Sequence, residues 1–288
     1  MEYLQQNAGF LVGVSLCLGL LIGSFLNVVI YRTPKILERK WKIECREFLG
    51  LEPDQKLLDE KFSIAWPSSQ CTSCGNKIRP WHNIPILGFL LLKGKCKDCN
   101  ASISWRYPTV EFITGILSVL VVWKFGATFE SLFALCLTWC LIALAGIDLD
   151  TKLLPDNMTL PLLWAGLIVN FFDTYTTFGN AFWGAVAGYM ILWSVFWGFK
   201  LLTGKEGMGY GDFKLLGALG AWLGWQTLPM IILISSVVGL AVAILMMVFM
   251  SHDRRVPIAF GPYLAIAGWI ALVFGEQIQA ALPIFSIG

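Results

Sequence analysis

Charge is scarce in this chain. Asp, Glu, Lys and Arg make up 14% of its 288 residues, and there is none between Tyr3 and Tyr31. A soluble domain carries nearer a quarter, so a soluble globular protein is excluded. Histidine is scarcer still: there are two, His82 and His252, each isolated in the sequence. His82 reads as a packing or capping residue. Neither GxSxG nor HExxH occurs, which removes the serine-hydrolase elbow and the zincin helix from consideration. No Rossmann-type glycine fingerprint is present. The first apolar run has no basic segment ahead of it and is too long for a signal-peptide core. It reads as a retained membrane helix.

Apolar residues fill the space that charge leaves. They make up 57% of the chain, mean hydropathy is +0.68, and the 13 Trp suit rings anchored at a bilayer interface. A spanning helix needs about 20 apolar residues. Runs of that kind occur at 9–31, 109–125, 129–147, 158–173, 180–200, 213–226, 228–250 and 258–276. The expected fold is therefore an all-α polytopic membrane protein of about eight transmembrane helices. The sixth run is short, and Gly217, Gly220 and Gly224 punctuate it at the spacing of close helix packing.

Three parts follow: 1–31 is the first transmembrane helix, 32–107 an extramembrane domain, and 108–288 a seven-helix membrane core. The segment 32–107 holds 14 of the 21 Lys and Arg. Positive charge collects on the cytoplasmic side, so this domain is expected there, with the N-terminus outside. Alternating spans then put the loops 147–156, 199–212 and 251–255 inside. Only Lys124 falls outside.

The eight cysteines are of two kinds. Cys17, Cys45, Cys136 and Cys140 read as small buried or inert thiols. The other four form CTSCG (71–75) and CKDCN (96–100), two CxxC pairs with 21 residues between them. A tight turn aims two thiolates at one ion, and two such turns complete a tetrahedral site. Gly75 and Asn100 follow the pairs, where such turns often need a positive φ. Cytoplasmic thiols stay reduced, which argues against disulfides. Cys71, Cys74, Cys96 and Cys99 are thus expected to hold a structural Zn2+ with no open position for water.

Few acids lie near the membrane. Asp148, Asp150 and Asp156 share one inside loop, and Asp212 opens the sixth run after GMGYG (207–211). Two carboxyls at one membrane edge have the chemistry of an aspartic protease. The ionised one takes a proton from water, and the neutral one polarises the carbonyl. Gly207, Gly209 and Gly211 would let a substrate strand approach Asp212. Capping is the plainer reading for Asp212 and especially for Asp156, and Asp150 competes with Asp148. Asp212 stands at a helix N-terminus and Asp148 near a C-terminus, so Asp212 is the expected anion. A proton-coupled carrier and a membrane scaffold are rival readings. A carrier puts its acids at the midplane, whereas these lie at one edge.

Four stretches together are specific: GSFLNVVIYRTP (23–34), the paired CxxC, AGIDLDTKLLPDNMTLPLLWAGLIVN (145–170) and GMGYGDFKLLGALGAWLG (207–224). In this order, over nearly the whole chain, they resemble the bacterial type IV prepilin peptidase family. The resemblance implies an inner-membrane GxGD-type aspartic protease serving type IV pili and type II secretion. Such an enzyme cleaves a basic leader after a Gly, on the cytoplasmic side, from prepilins and pseudopilins. It then methylates the new N-terminal residue with S-adenosylmethionine. The resemblance makes Asp148 and Asp212 the catalytic pair, and the four paired cysteines the zinc ligands. The stretch with Gly23, Ser24, Asn27 and Arg32, together with the zinc domain, is the place to search for the methyltransferase, although small residues there read more readily as helix packing. The alternative is a protease only, with the zinc domain as a structural or substrate-binding module. The expected partners are the substrates and the lipid bilayer, with no nucleic acid.

Overall fold

The computed structural model describes residues 8–249 and 259–281, apart from 53, 56 and 58–60. The basic stretch 251–255, His252, the last residue of the seventh expected span and the first of the eighth lie outside the described residues. The chain divides into two compact units, Met1–Trp123 and Lys124–Gly288.

In the first unit, α1 runs Ala8–Phe48. The sequence reading ended the first span at Tyr31, but the helix continues. Its extension is polar and carries the i,i+4 pairs Glu38–Lys42 and Lys40–Glu44, which support an exposed helix. A cysteine-bearing loop region follows, containing the short helix α2 (Leu87–Leu91). Then comes α3 (Arg106–Phe125). The seam between α1 and α3 is built from small residues. A Cβ on Gly19 would lie 2.8 Å from Gly115 Cα, and one on Gly23 would lie 2.7 Å from Glu111 Cα. Backbones can approach this closely only where side chains are missing.

The second unit contains α4 (Phe129–Thr151), α5 (Asp156–Asn170), α6 (Phe178–Thr203), α7 (Tyr210–Leu223), α8 (Leu228–Phe249) and α9 (Gly261–Ala281). Thr128 and Thr177 cap α4 and α6 by accepting the N–H groups of Ser131 and Asn180. Helix α7 is the core. Phe213 and every residue from Leu215 to Trp222 are buried. The small-residue spacing seen in the sequence explains how. Gly184 and Gly188 of α6 face Gly220 and Gly217 of α7 with no room for a Cβ, and one on Gly188 would sit 2.6 Å from the Leu216 carbonyl oxygen. The indole of Trp222 donates to Leu162 O at 2.8 Å and ties α7 to α5.

Each of the eight expected spans falls on a helix. Among the described residues, α1, α3, α4, α6, α8 and α9 are long and apolar enough to cross a membrane. The other two, α5 and α7, have 15 and 14 residues. Each covers about 22 Å, short of a hydrocarbon core of about 30 Å. Gly224, at φ +82°, ends α7. The protein is an all-α, multi-pass membrane protein with a four-cysteine module between its first two membrane helices.

Candidate functional site

The two CxxC segments fold as matching knuckles. Cys71 N–H donates to Asn76 O and Gly75 N–H to Cys71 O, while Cys96 N–H donates to Ala101 O and Asn100 N–H to Cys96 O. Gly75 and Asn100 have φ of +74° and +58°, the conformation expected after each pair. Asn76 reaches from one knuckle to Asp98 of the other at 3.3 Å. The four Sγ atoms all lie within 4.8 Å of one another, and Cys71 and Cys99 are 3.8 Å apart. Tetrahedral zinc with Zn–S bonds of about 2.3 Å needs sulfurs about 3.8 Å apart, so these residues fit the ion. Backbone N–H groups of Cys74 and Ser73 point at Cys71 and lower its thiol to about 6, toward the thiolate a metal needs. All eight cysteines are free. Cys17, Cys45 and Cys136 are exposed rather than buried. For Cys17 and Cys136, apolar helix positions explain this: in a membrane, such a surface faces lipid.

The residues of the first motif have distinct positions. Gly23 is the close-approach point against α3. Asn27 donates from one amide group to Gly23 O at 3.3 Å and to Tyr107 O at 3.1 Å. Arg32 donates to Ser63 O and Ile64 O at 3.0 Å and to Pro67 O at 2.7 Å, with Phe62 beneath its guanidinium. Ser24 lies beside the carboxyl of Glu111, a residue the sequence reading passed over. His82 belongs to a short 3-10 turn, edge-on to Trp81.

In the second unit three helix ends meet. Asp148 lies in the last turn of α4, Asp212 in the first turn of α7, and Gly261 opens α9. Asp148 and Asp212 are 5% and 6% exposed, and the Asp212 carboxyl feels the charge of Asp148. Gly261 N–H donates to Asp148 Oδ2 at 3.0 Å. The Gly209 N–H faces the Asp212 carboxyl. Leu154 packs between them. A Cβ on Gly211 would meet Leu154 Cβ at 2.6 Å, and one on Gly261 would meet its Cδ1 at 3.1 Å.

Several alternatives separate here. Asp150 is exposed on the outer side of the same turn. The residue preceding α5 is Pro155, and Asp156 makes no side-chain cap. Asp156 instead pairs with Lys214 at 2.6 Å. The glycines also sort. Gly207 and Gly209 are in the loop, with Gly209 extended at φ −81° and ψ 149°. Gly211 is already helical, and Leu154 excludes a side chain there. The dipole argument for Asp212 as the anion changes as well. The N-terminus of α9 gives Asp148 a helix-end donor of its own, so helix ends no longer distinguish the two acids. Gly261 and Glu111 carried no local sequence signal, because each acts on a residue of another helix.

Comparison with known proteins agrees with this layout. The Bacterial Peptidase A24 N-terminal domain matches residues 17–125, and the Type IV leader peptidase family matches residues 135–244. A prepilin leader peptidase/N-methyltransferase of Pseudomonas aeruginosa is 54% identical over 96% of this chain and 95% of its own length. Proteins of the same name from Aeromonas salmonicida and Neisseria gonorrhoeae are 54% and 48% identical, over 90% and 98% of this chain and 89% and 97% of their own. No solved structure matches the chain. With relatives this similar along nearly their whole length, the chain belongs to the bacterial type IV leader peptidase family.

Proposed function

We propose that this protein is a prepilin leader peptidase and N-methyltransferase of the bacterial inner membrane. It removes the leader of type IV prepilins and pseudopilins after a Gly, on the cytoplasmic side. It then methylates the new N-terminal amine with S-adenosylmethionine. The single observation that carries the peptidase is the meeting of Asp148 and Asp212, buried and in electrostatic contact, where α4, α7 and α9 converge.

The chemistry follows from two carboxyls that share one proton. The ionised carboxylate takes a proton from a water molecule as its oxygen attacks the scissile carbonyl. The neutral carboxyl polarises that carbonyl and supplies its proton on the way to the departing nitrogen. Water is consumed, the peptide bond breaks, and a new amine and carboxylate are released. The Gly261 N–H holds Asp148 in place with no cost of reorganisation. Gly209, where a Cβ would meet only Asp212 Oδ2 at 3.8 Å, leaves the approach to Asp212 open for an extended substrate strand, while Gly207 packs against the Phe199 ring.

The substrate suits this arrangement. A prepilin has a basic leader and then an apolar helix, so the helix rests in the bilayer while the leader stays in the cytoplasm. Charge distribution supports the same orientation, with the zinc module and both aspartates on the cytoplasmic side and the N-terminus in the periplasm. Zinc in the four-cysteine module has the role of a structural staple.

The test is leader removal from a purified prepilin in detergent. Wild type is expected to cleave. Asp148→Asn and Asp212→Asn are each expected to fail while zinc content and thermal unfolding stay at wild-type values. Normal cleavage by both variants would refute the aspartic mechanism.

A further inference from the structure

The four-cysteine module has an apolar face that its own fold leaves open. Helix α2 has the sequence LGFLL and runs straight into LKGK (92–95). Its two sides differ. On one, Gly88 lies against the His82 carbonyl with no room for a Cβ, and the Phe89 ring closes on Gly94. The same ring stands 4.8 Å from that of Trp105. On the other side, Leu87, Leu90 and Leu91 are 56%, 60% and 71% exposed. Their spacing of three and four residues puts them on one stripe. Single exposed leucines are ordinary on a protein surface, but a contiguous apolar stripe marks something that covers it.

The height of this stripe is set by α3, a helix long and apolar enough to cross the membrane. Ile86, the residue that starts α2, donates its N–H to Glu111 Oε2 at 2.7 Å. Glu111 lies five residues along α3 from Arg106, a rise of about 8 Å. Trp105, which touches Phe89, directly precedes α3 and is itself exposed. Helix α2 is therefore tied twice to the first two turns of a membrane helix. Helix α1 gives the same level. Asn27, inside its apolar run, donates to Tyr107 O at 3.1 Å, and the next charge along α1 is Arg32. Thus α2 stands where both helices pass the edge of the hydrocarbon. Lys93 and Lys95 follow the stripe and are exposed. At this level their long side chains reach lipid phosphates.

We propose that Leu87, Leu90 and Leu91 dock the four-cysteine module on the membrane, in the boundary between headgroups and acyl chains of the leaflet that α3 enters, with Lys93 and Lys95 on its phosphates. An apolar stripe beside a spanning helix, flanked by cations, is the pattern of an element lying in the membrane plane. The occupant is lipid. A soluble partner would have to displace headgroups to reach side chains at this depth. The module is thereby laid on the bilayer instead of standing off it, and a chain that reaches the module travels along the membrane surface.

The experiment uses the full-length, zinc-loaded protein in nanodiscs of phosphatidylethanolamine and phosphatidylglycerol. A trace of phospholipid carries a photoactivated diazirine on its acyl chain, close to the glycerol, and labelled peptides are identified by mass spectrometry. Label is expected on residues 87–91 as well as on α3 and the apolar run of α1, and not on 40–48 at the polar end of α1. Label on α3 with none on 87–91 overturns the proposal. Leu90→Asp combined with Leu91→Asp should lose the label at α2 while zinc content and the label on α3 stay at wild-type values. Undiminished label at α2 in that variant also overturns it. If the variant does not fold, hydroxyl-radical oxidation of wild type in the same nanodiscs decides. Leu49 is the reference, being of the same residue type and 66% exposed. Leu87, Leu90 and Leu91 oxidised less than Leu49 support lipid cover. Oxidation equal to that of Leu49 means that the face is open to water and to a soluble partner, and refutes docking on lipid.

Discussion

The backbone N–H of Gly261 donates to Asp148 Oδ2 at 3.0 Å, although the two residues are 113 positions apart. The glycine does more than donate. A Cβ at this position would lie 2.7 Å from the same oxygen and 3.1 Å from Leu154. Gly261→Ala is therefore expected to push the carboxyl from its place, and displacements near 1 Å cost about a hundredfold in rate. The measurement is the rate of leader cleavage. Gly275→Ala is the control on the same helix, since its nearest neighbour is Met230 Cε at 3.6 Å. It should cleave at the wild-type rate. Equal rates for both variants would show that Gly261 does not position Asp148.

Asp150 and Asp148 share the last turn of α4 and differ in burial, one exposed and one 5% exposed. Asp150→Asn should keep most of the cleavage activity, in contrast to Asp148→Asn. A loss as deep as that of Asp148→Asn would move the catalytic role to Asp150.

Metal removal should act on the first unit. Purified protein should contain one zinc ion, and chelation should speed amide hydrogen exchange over residues 71–100, where the four thiols of the two knuckles are placed to share it. Unchanged exchange after the metal is stripped would mean that hydrogen bonds alone hold the knuckles.

The α6–α7 seam gives a stability prediction. A Cβ on Gly184 runs into the carbonyl of Gly220, and one on Gly220 runs into that of Gly184. Gly184→Ala or Gly220→Ala should destabilise by about 1–3 kcal/mol, the usual cost of overpacking. Gly198→Ala in the same helix meets nothing within 4 Å, and should stabilise by up to about 1 kcal/mol from helix propensity. Thermal unfolding in one detergent checks all three. A Gly184→Ala variant as stable as wild type would mean that the helices part easily.

The exposed ion pair between Lys214 and Asp156, at 2.6 Å, bridges the first turns of α7 and α5. Asp156 is 58% exposed, so Asp156→Asn should cost less than about 1 kcal/mol. A large fall in unfolding temperature would instead reveal a capping role that the structure does not show.

The sequence by itself determined the membrane helices, the four-cysteine module and the two acids at helix ends. Each is a local pattern: a run long enough to cross a bilayer, two thiolates spaced for one turn, a carboxylate at the edge of an apolar stretch. Length and spacing along the chain are sufficient to read them. Tertiary structure alone decided which acid of IDLD is buried, that Asp156 pairs with Lys214 instead of capping, and that α9 supplies the donor to Asp148. It also revealed Glu111. These depend on which faces of distant helices meet, and that is governed by the missing side chains of Gly23, Gly184, Gly220 and Gly261. A glycine looks the same in sequence wherever it stands. Only packing shows which atom would occupy the place of its Cβ.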